Sequence, residues 1–259
     1  MTTKNEVNTT AEANETAAIA VKTGGEVSLA NLDALLDAEV QTALENIDPR
    51  PPRIKISREA QAFLLPDGST EKSLTGVIMF HHKARGYWET EGQQLPTCSS
   101  MDGLTGLDEN GVQQTCATCP FNAWGSGKDG RGKACKEMRW IYFLQDAEII
   151  PSRISLPPTS LGQFDAFVTA LAQRRIAPIM KTVRIGLEKM ERHGFTYSVL
   201  GQPEVLGDVE REKIVEMLQL RDSVVAAAKK AGIEADDYFD GDEAGDVAGD
   251  VASSADEPY

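Results

Sequence analysis

The sequence predicts an α+β protein: a meander of antiparallel strands carrying a metal-held loop segment, flanked by helices and by polar, acidic ends. Three observations predict it. Short apolar runs separated by turn residues follow Pro51-Pro52, all four cysteines lie between Cys98 and Cys135 in a stretch almost without apolar periodicity, and both ends are too polar to belong to a core.

The 259-residue chain is 41% hydrophobic, enough to bury a core of one domain. No basic start runs into an apolar stretch, and no run of about 18 apolar residues occurs. The expectation is therefore a cytoplasmic protein with no membrane partner. Four clustered cysteines read as a local site in a reducing compartment, not as a disulfide framework. The net charge of −14 is unevenly spread. Residues 50–200 hold 19 Lys/Arg against 15 Asp/Glu, whereas residues 231–259 hold ten acidic residues and no Lys or Arg. A mildly basic core between acidic ends keeps a nucleic-acid partner open, which the total charge alone would disfavour.

Residues 1–27 are expected to be disordered. Ser28 reads as an N-cap, and Leu29, Leu32, Leu35, Leu36, Val40 and Leu44 recur at helical spacing, giving a helix within 28–50 that the two prolines end. The core then spans 51–205. Strands are expected at Ile54–Ser57, at Ala62–Leu65 before a Pro66-Asp67-Gly68 turn, and at Leu74–His81. The segment of about 86–136 is too long and too polar for an ordinary connection, so something other than a core must order it. Arg139–Leu144 resumes as strand. Thr159 or Ser160 caps a helix with the stripe Leu161, Phe164, Phe167, Val168 and Leu171. Lys181–Lys189 and Phe195–Leu200 form a hairpin about a turn at Glu191–Gly194. A last helix runs from about Val209 to Lys230, inside 206–231, before a disordered tail over 232–259.

Cys116-Ala-Thr-Cys119 places two thiolates on one tight turn, the spacing at which both reach a single tetrahedral ion. With Cys98 and Cys135 they make a candidate four-thiolate zinc site; an iron–sulfur cluster on the same cysteines is the alternative. His81 or His82 can replace Cys135 as fourth ligand, but only one of them, because neighbours on a strand face opposite ways. Gly127 to Lys133 has the spacing of a phosphate-binding loop, but Ala134 stands where the magnesium-holding hydroxyl would be and no apolar strand leads in. A basic loop of Lys128, Arg131, Lys133 and Lys136 suited to a phosphate backbone is the physical reading.

Single strands are held by cations along a groove and by aromatic faces on which bases stack. Both are interleaved in three clusters: Lys83, Arg85, Tyr87 and Trp88; Arg139, Trp140 and Tyr142; and Arg184, Arg192, Phe195 and Tyr197. Tyr87, Trp88 and Trp140 are the first candidates for stacking. No paired carboxylates, Ser/His/Asp set or activated nucleophile stands out, so a non-catalytic protein is expected.

In the order of these parts the chain resembles the T-even phage helix-destabilising proteins, the zinc-containing single-stranded DNA-binding proteins of phage replication. The resemblance is carried by Tyr87-Trp88 running into Cys98-Ser99-Ser100, by Cys116-x-x-Cys119-Pro120, by a helix near Ser160, a hairpin from about residue 179 and an acidic C-terminus. It covers roughly residues 53–259, with letter identity confined to the cysteine region. It implies an OB-like antiparallel barrel, a structural zinc subdomain beside the cleft, ligands at Cys98, Cys116 and Cys119 with a histidine at His81 or His82, and a tail contacting replication or recombination proteins in the host cytoplasm. Two features depart from that pattern: the Cys98–Cys116 interval is longer and Cys135 is extra, and the N-terminal segment is acidic on balance where the family's is basic. The expected function is coating of single-stranded DNA and recruitment of partners through the tail. The alternatives are an iron–sulfur or zinc nucleic-acid enzyme, and a zinc-stabilised protein scaffold that binds no DNA.

Overall fold

Residues 138–144 read Met-Arg-Trp-Ile-Tyr-Phe-Leu, a run without apolar/polar alternation, and a strand of that kind is stable only when both its faces are covered. The computed structural model, which describes residues 32–45, 51–57, 60–146, 148–192 and 195–238, covers both. Its chain divides into two units, Met1–Ile47 and Asp48–Tyr259. The first contains α1 (Leu32–Glu45), with Leu35 and Leu36 exposed. The proposed cap Ser28 and the segment 1–27 lie outside the described residues.

The second unit is built on a mostly antiparallel sheet of 12 strands. In chain order these are β1 (Arg53–Ser57), β2 (Ala62–Leu64), β3 (Thr70–Glu71), β4 (Ser73–Tyr87), β5 (Cys98–Ser100), β6 (Thr105–Asp108), β7 (Gln113–Thr115), β8 (Lys136–Gln145), β9 (Ser152–Leu156), β10 (Lys181–Arg192), β11 (Phe195–Leu200) and β12 (Glu204–Asp208). Helix α2 (Pro158–Gln173) precedes β10, and α3 (Arg211–Ala231) follows β12. The main path is β3-β2-β1-β9-β8-β4-β5-β6-β7, with β10 on the first part of β4 and carrying β11 and β12. The β1–β9 pair is parallel. The path ends at β3 and β7 without closing, so the expected barrel is replaced by an open sheet. The reason lies in β8: a barrel strand buries one face inward, whereas here each face meets its own helix.

On one face Ile78, Ile141, Phe143, Ile154 and Leu156 pack against Phe164, Phe167 and Leu171 of α2. On the other, Ala84, Met138, Trp140 and Tyr142 meet Val224 and Ala228 of α3 together with Ile233 and Tyr238. Replacing one of these large side chains by alanine costs about 3–5 kcal/mol. The C-terminal boundary therefore moves: the expected tail over 232–259 begins with a packed segment, in which Ile233, Asp237 and Tyr238 are buried.

The Pro66-Asp67-Gly68 turn forms as expected, with Gly68 at φ +85° and Asp67 Oδ1 accepting from the Ser69 amide at 2.9 Å. Ser160 does not cap α2. Helix N-capping falls on Pro157 without a side-chain bond, and the buried Ser160 hydroxyl accepts the Leu200 amide at 2.9 Å, tying α2 to β11. Strand β4 runs six residues past its expected end at His81, and its pairing with β8 shifts register at a bulge between Ile78 and Phe80.

Candidate metal centre and nucleic-acid interface

The extension of β4 positions the site. Beyond His81 the strand pairs with β8 on one side down to Gly86–Lys136, and with β5 on the other through Tyr87–Cys98. Strand β5 pairs with β6 and β6 with β7, so that Cys98, Gly106 and the residue before Cys116 lie on successive short strands. Cys116–Thr118 and Pro120–Asn122 are consecutive 3-10 turns, and the chain returns to β8 through Cys135, whose amide donates to the Phe121 carbonyl at 2.8 Å.

All four cysteines are free thiols. Two of them flank Gly106, where a β-carbon would stand 2.8 Å from the Cys98 sulfur and 3.9 Å from that of Cys116. Burial, then the neighbouring Cys116 and Cys119, raise the Cys98 thiol. Burial pushes Cys135 up to about 12 against the opposing pull of Arg85, with Cys116, Cys119 and Cys98 adding to the rise. The Cys98 and Cys135 thiols thus resist ionising chiefly because they are buried and secondarily because other cysteines are near, a penalty that a soft divalent cation removes. Among the described residues no group of three or more His, Cys, Asp or Glu is placed to hold a metal ion as it stands. The donor chemistry nonetheless fits one: four sulfur donors, no disulfide, and space kept by a glycine.

His81 and His82 lie elsewhere. His81 meets the Phe164 ring edge-on at 5.0 Å on the α2 face, while His82 points to the opposite face, 3.3 Å from the Tyr142 hydroxyl and 5.6 Å from the Trp140 ring centre. Neither is brought to the cysteines, which leaves Cys135 as the fourth sulfur.

The structure divides the expected nucleic-acid residues. Trp140 and Tyr142 are fully buried beneath α3 and residues 233–238, and so present no face for stacking; Arg139 is buried and paired with Asp165 at 2.9 Å. These three are corrections to the sequence reading, and their cause is the double-sided burial of β8. Arg85 is also buried, bonded to Asn122 and Glu137. Trp88 is half-buried and stacks on Tyr238, over whose ring Lys136 sits at 5.9 Å. Arg184 is exposed and paired with Glu204 at 2.9 Å on β10 and β12, and Tyr197 is half-buried on β11. The Arg192 and Phe195 side chains and the hairpin turn fall outside what is described.

Lys83 is exposed on the extension of β4. Tyr87 stacks on Phe121 at 4.1 Å and 14°, and Phe121 and Trp124 are 42% and 51% exposed. The loop that follows folds back on itself: the amides of Gly125 and Gly127 both donate to the Gly132 carbonyl, at 2.7 and 3.3 Å, so they are not free to cradle a phosphate. That bend contains Lys128 and Arg131 and is followed by Lys133. Phe121 and Trp124 escaped the sequence reading because neither sits on a strand. The available signal was that an aromatic in a Gly-rich stretch has no apolar stripe to join, and so stays outside the core.

Comparison with protein-family models, with curated proteins and with solved structures finds no match. Among the described residues no helix is long and apolar enough to cross a membrane.

Proposed function

We propose that this chain is a non-catalytic protein that coats single-stranded DNA, with its binding face on the cysteine segment and that segment held by one zinc ion on Cys98, Cys116, Cys119 and Cys135. The observation that carries the reading is the exposed pair Phe121 and Trp124, with Phe121 stacked on Tyr87, in a segment whose sequence also carries Lys128, Arg131 and Lys133. Flat apolar faces next to cations are what a flexible polyanion with unstacked bases binds, at about 1–3 kcal/mol per stacked base. Zinc supplies the ordering energy that this segment, poor in buried side chains, lacks. The face lies on the sheet's edge region, and the reading does not require a closed barrel. The acidic residues at the C-terminus are the proposed contact for replication or recombination proteins.

A protein-interaction scaffold is the second reading. It is favoured by Leu104, Leu107 and Val112, which are 69%, 49% and 51% exposed on and around β6 and β7. Fluorescence anisotropy of a labelled oligo-dT, titrated with the zinc-loaded protein at two salt concentrations, separates the readings. Tight binding that weakens as salt rises supports the DNA-coating role. No binding at low salt leaves the scaffold. A visible absorbance near 400 nm in the purified protein would replace zinc by an iron–sulfur cluster.

A further inference from the structure

Arg85 is 9% exposed, yet its guanidinium reaches out of the sheet into the cysteine segment. One nitrogen donates to Asn122 Oδ1 at 2.5 Å, and another meets Glu137 at 2.6 Å on the neighbouring strand. Asn122 in turn holds both residues of the Cys-x-x-Cys pair by their backbone. Its Nδ2 donates to the Cys116 carbonyl at 2.8 Å, and its amide donates to the Cys119 carbonyl at 3.0 Å. Cys135 is tied to the same 3-10 turn through Phe121. Three of the four sulfur-bearing residues are therefore anchored to Pro120–Asn122, and that turn is fastened to β4 by Arg85 and by the Tyr87–Phe121 stack.

We propose that Arg85, acting through Asn122, is a positioning residue of the cysteine centre, so that metal loading and docking of the Phe121–Trp124 face on the sheet are one coupled event. The inference rests on reading the four cysteines as a metal centre. Two physical arguments support it. Four thiolates round one divalent ion carry an excess negative charge that a buried guanidinium nearby offsets. The planar fork of arginine can also serve Asn122 and Glu137 at once, which a lysine ammonium cannot do with the same geometry. Residues that orient metal ligands without touching the ion commonly set its affinity by 10–100-fold.

The test compares the full-length wild type with Arg85→Gln, Arg85→Lys and Asn122→Ala. Zinc affinity is read by competition with a chromophoric chelator, the thiolate-to-cobalt charge-transfer band by titration with cobalt(II), and urea midpoints with and without metal. The expected result is a 10–100-fold loss of zinc affinity in Arg85→Gln and Asn122→Ala, partial recovery in Arg85→Lys, and a smaller metal-induced rise in urea midpoint in both weakened variants. If Arg85 only braces the sheet, loaded and metal-free midpoints fall together and zinc affinity stays at the wild-type value; that outcome overturns the inference and spares the centre. Asn122 is half-buried, so its variant decides the matter if Arg85→Gln does not fold. A wild type that takes up neither ion overturns the centre, and the inference with it.

Discussion

The guanidinium of Arg153 lies 3.7 Å from the centre of the Trp140 ring, and its ion pair with Asp237 closes over the stack from the C-terminal end of the described chain. Arg53, on the strand parallel to that of Arg153, adds a contact to Asp237 at 3.5 Å and one to Glu234 at 2.7 Å. The Asp237 carboxyl is nevertheless raised, because burial outweighs the two arginines. Removing Asp237 leaves Arg153 buried without its counter-charge. Asp237→Ala is expected to lose about 3–5 kcal/mol of stability in urea denaturation. A loss below about 1 kcal/mol would mean that the pair is not closed in solution.

This anchor changes how the acidic end should be shortened. Deleting 236–259 removes Asp237 and Tyr238 from the core beneath α3, and is expected to destabilise the whole sheet. Deleting 240–259 keeps the anchor and removes only sequence rich in Asp and Glu. If the acidic end competes with DNA for the basic loop, this shorter deletion tightens oligo-dT binding, most at low salt, and steepens its salt dependence without moving the urea midpoint. Unchanged affinity would assign the end to partner contacts alone.

The elements with a periodic signal were legible in the sequence, and the way they stack was not. The stripe from Leu161 to Leu171 gave α2, and the alternation of Val183, Ile185 and Leu187 gave β10. Strand β8 was also found, but its aromatics were assigned to DNA because a run of Arg-Trp-Ile-Tyr carries no sign of whether one face or both will be covered. That depends on α3 and on Ile233–Tyr238, roughly 70 to 100 residues further along the chain. Strands β9 and β12 passed unseen, the first because Ser152–Leu156 is short and the second because its five residues are all exposed. The cysteine cluster was legible from spacing alone. Its brace, Arg85 with Asn122, was not, since a 37-residue separation leaves no local pattern.

Burial of His81 gives a pH dependence with a definite sign. Burial, aided by the charge of Arg139 and by His82 and opposed by Asp165, lowers its pKa from 6.5 to about 4. The unfolded chain therefore takes up a proton at His81 before the folded one does. Stability contributed by the neutral imidazole is fully present above about pH 6.5 and falls away as pH drops towards 4, by at most about 3 kcal/mol. His82 is shifted in the same direction, again chiefly by burial, and adds to the slope. Urea midpoints measured at pH 7, 5.5 and 4.5 should fall in that order, and His81→Phe should flatten the decline. An equal decline in the variant would place the titration on other groups.

Exposure separates two kinds of tryptophan. Trp124→Ala and Phe121→Ala are expected to weaken oligo-dT binding, each by about 1–3 kcal/mol; Trp124→Ala should leave unfolding stability within about 0.5 kcal/mol of wild type, whereas Phe121→Ala also loses its stack on Tyr87. Trp140→Ala should do the reverse at the level of cause: it costs about 3–5 kcal/mol of stability, and any loss of binding follows from unfolding. Binding unaffected by both surface variants would move the DNA face away from the cysteine segment.

The strictest test of the sulfur cluster leaves every cysteine in place. Gly106 is buried on β6, and a methyl group there would stand 2.8 Å from the Cys98 sulfur, closer than side-chain carbons approach neighbouring atoms. Either Cys98 turns away or β6 shifts from β5, and in both cases the proposed zinc site loses a donor. Gly106→Ala is therefore expected to lower zinc affinity at least tenfold and to weaken the thiolate-to-cobalt band, with four titratable thiols still present in the denatured protein. Cys116→Ser, which removes a donor outright, sets the scale: it should release the metal and open residues 86–136 to protease. If Gly106→Ala binds zinc as the wild type does, the sulfurs do not converge at Gly106, and metal held by this chain lies elsewhere. If it loses the metal and also the protease resistance of 86–136, the ion is what orders the segment.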